Sequence, residues 1–295
     1  MTSTPTARTA GPRSQSEAER YQRMRAHLAF LRLLDAAEAL PGVLDTAREQ
    51  QLSPTATLER LLAVEVAATE TRRLASRLRF ACLPAAWTLA DFDYTAQPGV
   101  DEALVRELAT LRFLDDGSNV LVVGPPGVGK TMLAVGLARA AAEAGHRVYF
   151  TTAADLAARY RKAAIEGRWA TMMRFYAGPK LLTIDELGYL PLAAEAASAL
   201  FQVINTRYAN AAATVITTNL GIASWATAFG DPIVAAVLLG SALGLQDSQV
   251  AARVGCAGSV LLAFLSQPSL TLHGRGVLGA THRVADGRPR GLDRR

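Results

Sequence analysis

The chain has 295 residues, half of them hydrophobic, two cysteines and a formal net charge of +5. That length suits one large or two modest domains with ample core material, and two cysteines exclude a disulfide framework. The two most apolar segments, 233–245 and 254–265, fall short of the roughly 18–20 apolar residues of a membrane span, so no membrane partner and a cytoplasmic location are expected.

Residues 1–18 are rich in Thr, Ser, Pro and Arg without an apolar core, and read as a disordered leader rather than a signal peptide. Residues 19–83 read as a small helical domain. Met24, Leu28, Leu31 and Leu34 recur at helical spacing, which predicts a helix over 19–40 that Pro41-Gly42 stops. Ser53-Pro54 pairs a capping hydroxyl with Pro at the first helical position, opening a helix to about residue 80. Leu58, Leu61, Leu62, Val66, Leu74 and Leu78 lie mostly along one side of it. Acidic residues balance basic ones over this third of the chain, yet arginines cluster, with Arg23 and Arg25 in the first helix and Arg72, Arg73 and Arg77 in the second. Such clusters suit phosphate backbones, and solvated helix faces carry the same pattern. Cys82 and Cys256 read as small core fillers.

Residues 84–99 form a linker, and a helix is predicted over 100–114. Next comes the most informative stretch. An apolar run, 120–123, leads into Gly124-Pro125-Pro126-Gly127-Val128-Gly129-Lys130-Thr131, and a helical stretch opens at Met132. Strand, Gly-rich loop and helix are the context in which G-x-x-x-x-G-K-[ST] binds a nucleoside triphosphate. The glycines let backbone N–H groups turn inward around a phosphate, and the helix N-terminus adds its positive dipole end. Lys130 can reach the β- and γ-phosphates, and the Thr131 hydroxyl is placed to ligate Mg²⁺.

Short β-branched runs at 147–150, 181–184 and 213–218 alternate with helices from there, implying an α/β fold with a parallel sheet covered on both faces. The run ending in Asp185-Glu186 has the Walker B pattern, with Asp185 toward the metal and Glu186 polarising the attacking water. Asn219 closes the next strand in Thr217-Thr218-Asn219, where a sensor of the γ-phosphate is expected. Before Asp185 a helical segment interleaves Arg159, Arg161, Lys162, Arg168, Trp169 and Arg174. Arg161, Lys162 and Arg168 are its candidate DNA contacts, an amphipathic helix with a wet face being the alternative.

These residues together carry a specific resemblance. The chain resembles the IstB-like helper ATPases of insertion-sequence transposition, a branch of the AAA+ superfamily near the DnaC-like helicase loaders. The likeness runs from about Tyr21 to about Val237. It rests on Tyr21-Gln22-Arg23-Met24-Arg25, Leu78-Arg79-Phe80-Ala81, Asp91-Phe92-Asp93, Gly124 to Thr131, Phe150 to Leu156, Ile184 to Pro191 and Thr217-Thr218-Asn219. The resemblance implies an AAA+ core over 100–237, ATP as nucleotide and Mg²⁺ as metal. It also implies ATP-dependent assembly into an oligomer on double-stranded DNA, and a transposase as client. A helicase loader would share nearly every ATP-site residue.

One departure stands out. After Val237 the family continues with Leu-Asp-Arg-Leu and a further strand, and its arginine is the expected trans-acting finger on a neighbouring subunit's ATP. Here the chain reads Leu238-Leu239-Gly240-Ser241-Ala242-Leu243-Gly244, without that arginine. Arg207 lies too early to replace it. Residues 238–295 therefore read as a divergent tail, out of register with the family's frame, and a non-hydrolysing, ATP-gated DNA scaffold becomes the rival reading.

Overall fold

The computed structural model describes residues 16–188, 194–221 and 261–265. Most of the leader, Tyr189 to Pro191, Gly230 to Val237, Cys256 and nearly all of the tail lie outside the described residues.

Three helices form the N-terminal unit: α1 (Glu17–Phe30), α2 (Leu34–Glu49) and α3 (Pro54–Ala81). α1 begins two residues before the expected boundary because Ser16 and Glu19 make a reciprocal capping box. The break expected at Pro41-Gly42 falls instead at Leu31-Arg32-Leu33. There Arg32 adopts φ +61°, and the Leu33 N–H donates back to Leu28 O at 2.9 Å. A left-handed residue ends α1 although no glycine marks the place, so the sequence carried no stop signal. Pro41 sits inside α2, where buried Leu40 and Val43 pack against Leu61 and hold the helix despite the missing N–H. Glu65, itself buried, accepts the Ala36 N–H at 3.1 Å and satisfies an orphan donor in the first turn of α2.

α3 starts as expected, with the Ser53 hydroxyl accepting from Ala56 N. Its apolar residues do not share one buried side, however. Leu61 is buried, while Leu58, Leu62 and Val66 are exposed. The C-terminal half of α3 leaves the helical unit and packs on the α/β core through Leu78, Phe80 and Ala81. Cys82 then caps it with φ +52° and is exposed, not the core filler expected.

The linker makes one short 3-10 turn, Leu89–Asp91. The helix predicted over 100–114 divides into α4 (Glu102–Ala109) and α5 (Arg112–Asp115), because Leu111 between them takes φ +62°. The core then runs β1 (Asn119–Val123), α6 (Lys130–Glu143), β2 (Val148–Thr152), α7 (Ala153–Ile165), α8 (Trp169–Ala177), β3 (Leu181–Leu187), α9 (Ala194–Ala209), β4 (Ala213–Thr218) and β5 (Leu261–Leu265).

The sheet order is β2-β3-β4-β1-β5. β1 to β4 are parallel, and β5 adds to the free side of β1 in the antiparallel sense, with Val123 opposite Leu261. Strand alternation divides the core in two. Val120, Val122, Val148, Leu181 and Val215 face α4, α5 and α6, whereas Leu121, Val123, Tyr149, Leu182, Ile184 and Ile216 face α7, α8 and α9. This is an α/β fold with a parallel sheet covered by helices on both faces, in which the strand that leads into the glycine-rich loop, β1, lies between β4 and β5. Burial on both faces of β1 fixes where the loop that follows it emerges.

Candidate nucleotide-binding site

Gly124 leaves β1 with its N–H donating to Thr218 O at 3.2 Å, so the loop starts tied to the end of β4. Pro125, Pro126 and Gly127 are exposed, while Val128 tucks into the core and anchors the loop from below. Gly127 and Gly129 have φ +84° and +87°, a region other residues enter at a cost. At Gly129 space is decisive as well, since a Cβ there would stand 2.6 Å from Phe92 Cε2. The buried Phe92 thus supports the loop from the linker, and Tyr94 packs edge-on against it.

Lys130 and Thr131 open α6, with Met132 next. Lys130 Nζ donates to Pro125 O at 2.7 Å, folding its ammonium back across the loop. Desolvation pulls the Lys130 ammonium below its usual value, against the attraction of Asp185. A phosphate in the loop would restore the charged form's partner. The Thr131 hydroxyl lies 3.0 Å from Asp185 Oδ2, so two residues 54 apart in sequence meet as their motifs require.

Asp185 is buried and Glu186 exposed, on adjacent positions of β3. The β3–β4 register shifts between Ile184 and Leu187, and Glu186 takes φ +58° inside that irregularity. A left-handed non-glycine costs on the order of 1–3 kcal/mol and persists where the surroundings over-determine it. Here it accompanies a Glu186 side chain that is exposed to solvent while Asp185 beside it is buried. Thr217, from the end of β4, bonds both the Asp185 carboxylate and the Glu186 N–H. Asn219 follows β4, and its Oδ1 is buried with no hydrogen-bond partner among the described residues.

These residues fit a nucleotide and Mg²⁺. Gly127 and Gly129 hold the loop in left-handed backbone, and Asn219 Oδ1 is an unpaired buried acceptor one residue beyond Thr218, whose carbonyl receives the Gly124 N–H. Among the described residues no three His, Cys, Asp or Glu side chains converge. One hydroxyl and one carboxylate, Thr131 and Asp185, are the donor set that suits a magnesium ion shared with phosphates and water.

The arginine clusters are placed less simply. Arg25 is exposed on α1, as is Arg23. Arg72 is engaged with Asp35 and, at 3.0 Å, with buried Glu65, and Arg73 with Glu70. Hydrogen bonding to Asp35 holds the Arg72 guanidinium above its usual value. Arg77 Nε donates to Ala142 O at 2.8 Å, tying α3 to the last turn of α6. On α7 and α8, Arg161 is exposed, while Lys162 and Arg168 flank Glu166 at 4.0 and 3.4 Å. An open cleft of about 440 Å³ lies there, lined by Arg159, Lys162, Arg168, Met172 and Phe175.

Arg207 is fully buried. Its five N–H groups reach Thr214 Oγ1 and the carbonyls of Tyr176, Pro179, Lys180 and Ala213. Burial pulls its guanidinium down to about 9, which leaves it charged at neutral pH. It clamps α9 to the start of β3 and cannot reach a neighbouring subunit. Sequence reasoning missed the Phe92–Gly129 contact and the role of Thr217. The polar strand end Thr217-Thr218-Asn219 was the one signal for the latter.

Known proteins share this sequence over most of its length. The family described as IstB-like ATP binding protein matches residues 26–245. A protein of insertion sequence IS21 from Pseudomonas aeruginosa, named for ATP binding, is 39% identical over 212 residues, covering 72% of this chain and 80% of its own length. The corresponding protein of IS5376 from Geobacillus stearothermophilus is 37% identical over 218 residues, covering 74% and 86%. Among solved structures, the DnaC helicase loader superposes with a TM-score of 0.42 and 28% identity, over 47% of this chain and 83% of that one. AMPPCP-bound DnaA from Aquifex aeolicus gives 0.45 and 22%, over 53% and 49%. A family match over residues 26–245, with relatives 37% and 39% identical over more than two thirds of the chain, makes this chain a member of the IstB-like ATP-binding proteins of insertion sequences.

Proposed function

We propose that this protein binds ATP with Mg²⁺, assembles on double-stranded DNA as an oligomer, and assists the transposase of its insertion sequence. The observation that supports this best is the Thr131–Asp185 contact beside the phosphate loop, with Glu186 turned outward next to it. Lys130 would relinquish Pro125 O for the β- and γ-phosphates, and the loop N–H groups would line the phosphate chain. Thr131 and Asp185 would hold Mg²⁺, which neutralises phosphate charge. Glu186 would orient and polarise the attacking water, and Asn219 would contact the γ-phosphate. The DNA part of the proposal draws on exposed Arg23, Arg25 and Arg161 and on the basic cleft between α7 and α8.

Two variants test the site. Lys130→Ala should weaken ATP binding at least tenfold without lowering the melting temperature. Glu186→Gln should keep ATP affinity and trap the ATP-dependent DNA complex. ATP affinity within twofold of wild type in the lysine variant would sink the assignment. Capture of a transposase on tagged Glu186→Gln protein with ATP and DNA tests the client, and capture of a helicase instead would favour the loader.

A second reading is supported by one observation. Arg207 is buried, and the segment that would carry the trans-acting arginine reads Leu238-Leu239-Gly240. A scaffold that binds ATP without turning it over accounts for both. Turnover assayed with saturating DNA separates the two readings.

A further inference from the structure

One hydroxyl joins the phosphate-loop side of the site to the sensor strand. Thr217 is 1% exposed and lies two residues before Asn219. Its Oγ1 donates to Asp185 Oδ1 and accepts the Glu186 N–H at 3.0 Å. A hydroxyl carries one proton and two lone pairs, so both bonds form at once. From the other side, the Thr131 hydroxyl contacts the same carboxylate at 3.2 and 3.0 Å. Asp185 is thus held between α6 and β4, and its orientation is set before any metal arrives.

The Glu186 bond matters as much. β3 leaves register with β4 between Ile184 and Leu187, and Glu186 occupies that irregularity at φ +58°. Backbone of this kind needs something to hold it, and bulges re-aim side chains near sites of chemistry. The amide at the strained residue is taken by Thr217. The neighbouring Thr218 hydroxyl donates to Leu187 O, fixing the residue on the far side of the irregularity.

We propose that Thr217 is a positioning residue for the hydrolytic pair: its single hydroxyl orients the Asp185 carboxylate and locks Glu186 in the backbone conformation that points it outward. Any displacement of the sensor strand β4 then reaches both carboxylates through one atom. The proposal rests on the hydrolytic reading of Glu186 above, and its test is chosen to separate the two.

The experiment uses the full chain with duplex DNA and three substitutions: Thr217→Val, which keeps shape and removes the hydroxyl, Thr217→Ala, which removes it with less bulk, and Thr217→Ser, which keeps it. Three quantities are read. These are steady-state turnover, the gain in affinity for a non-hydrolysable ATP analogue on adding Mg²⁺, and hydrogen exchange at the Glu186 amide without nucleotide. Thr217→Val should lose about 10- to 100-fold in kcat at little changed KM, the usual range for partners behind a metal ligand. It should also lose most of the Mg²⁺ gain and speed Glu186 exchange at least tenfold. Thr217→Ser should restore all three to within about threefold, which a role in packing alone would not produce. If the valine protein does not fold, the alanine protein is read on the same scale. The wild-type chain adds a test of its own, since a freely exchanging Glu186 amide overturns the proposal without any substitution. A hydroxyl-free variant with wild-type Mg²⁺ gain and wild-type exchange overturns it too. If wild-type protein turns over no ATP on DNA, the hydrolytic reading falls, while the Mg²⁺ gain and amide exchange still decide Thr217.

Discussion

Arg207 is a buried cation with no carboxylate against it among the described residues, and at that depth a charge is tolerable only when every donor is matched. Four carbonyls and the Thr214 hydroxyl match its five N–H groups. Arg207→Met keeps the length of the stem but strands those acceptors in the interior. We expect a loss of about 3–5 kcal/mol in urea unfolding, the range for breaking a buried charged network. A loss below about 1 kcal/mol would mean that water replaces the guanidinium easily. Such a variant does not touch the phosphate loop, so its ATP affinity under folded conditions should match wild type. The sequence showed this arginine a few residues before β4. It could not show the burial, because the carbonyls that receive its protons come from α8, the turn before β3, and β4.

At the scale of elements, α3 belongs to two bodies. Its first half closes the helical unit through Leu61 and Glu65, and its second half lies on α6 and β2 through Leu78, Phe80 and Ala81. Arg77 reinforces the second of these interfaces at the end of α6, where carbonyls carry the negative dipole end. For Arg72, Arg73 and Arg77 to contact DNA they would have to leave these partners, whereas Arg161 is exposed and Lys162 and Arg168 share one glutamate. Replacing Arg161, Lys162 and Arg168 together by Gln should flatten the plot of log affinity against log salt, by about 0.9 for each phosphate no longer neutralised. Replacing Arg72, Arg73 and Arg77 should lower the melting temperature first. DNA titrations between about 50 and 200 mM salt, with melting curves alongside, read both outcomes. An unchanged slope in the first set would return those residues to a solvated helix face.

At the scale of the whole molecule, the sheet ends in an unexpected strand. Leu261–Leu265 pairs antiparallel with β1, where the family's likeness implies a further strand after Leu-Asp-Arg-Leu. Without that partner β1 would present an open edge of unpaired N–H and C=O groups, so an apolar segment of almost any register gains by adding there. We propose that the chain from about Gly240 is read out of register with the ancestral frame. Gly240-Ser241-Ala242-Leu243-Gly244 can be encoded as GGA-TCG-GCT-CTT-G, and removing one G gives GAT-CGG-CTC-TTG, which reads Asp-Arg-Leu-Leu. After Leu239 this restores the missing Leu-Asp-Arg-Leu. ATP binding should survive, since Gly124 to Thr131 and Asp185 lie upstream, while turnover should be very low without the trans-acting arginine. The nucleotide sequence around codon 240 decides the matter. If no single-base change there opens a frame encoding Asp-Arg-Leu and a following strand, the tail is a genuine divergent C-terminus.

By itself the sequence determined the four parallel strands and the glycine-rich loop between β1 and α6, and it singled out Thr131 and Asp185, which the fold brings into contact. The strands, the loop and the choice of those two residues follow from local patterns, namely β-branched runs, glycines where backbone must approach a phosphate, and acidic residues at a strand end. It also placed the start of α3, because Ser53-Pro54 is a local capping signal. Tertiary structure alone decided the rest. Arg32, Leu111 and Glu186 adopt left-handed backbone that no glycine announced, each held by contacts distant in sequence or by the packing of the helices it joins. Pro41 stays inside α2 because burial of Leu40 and Val43 outweighs one lost hydrogen bond. Side-chain partners across strands, such as Thr217 with Asp185 and Glu186, depend on strand order and register, and those are set by the whole sheet rather than by any stretch of the chain.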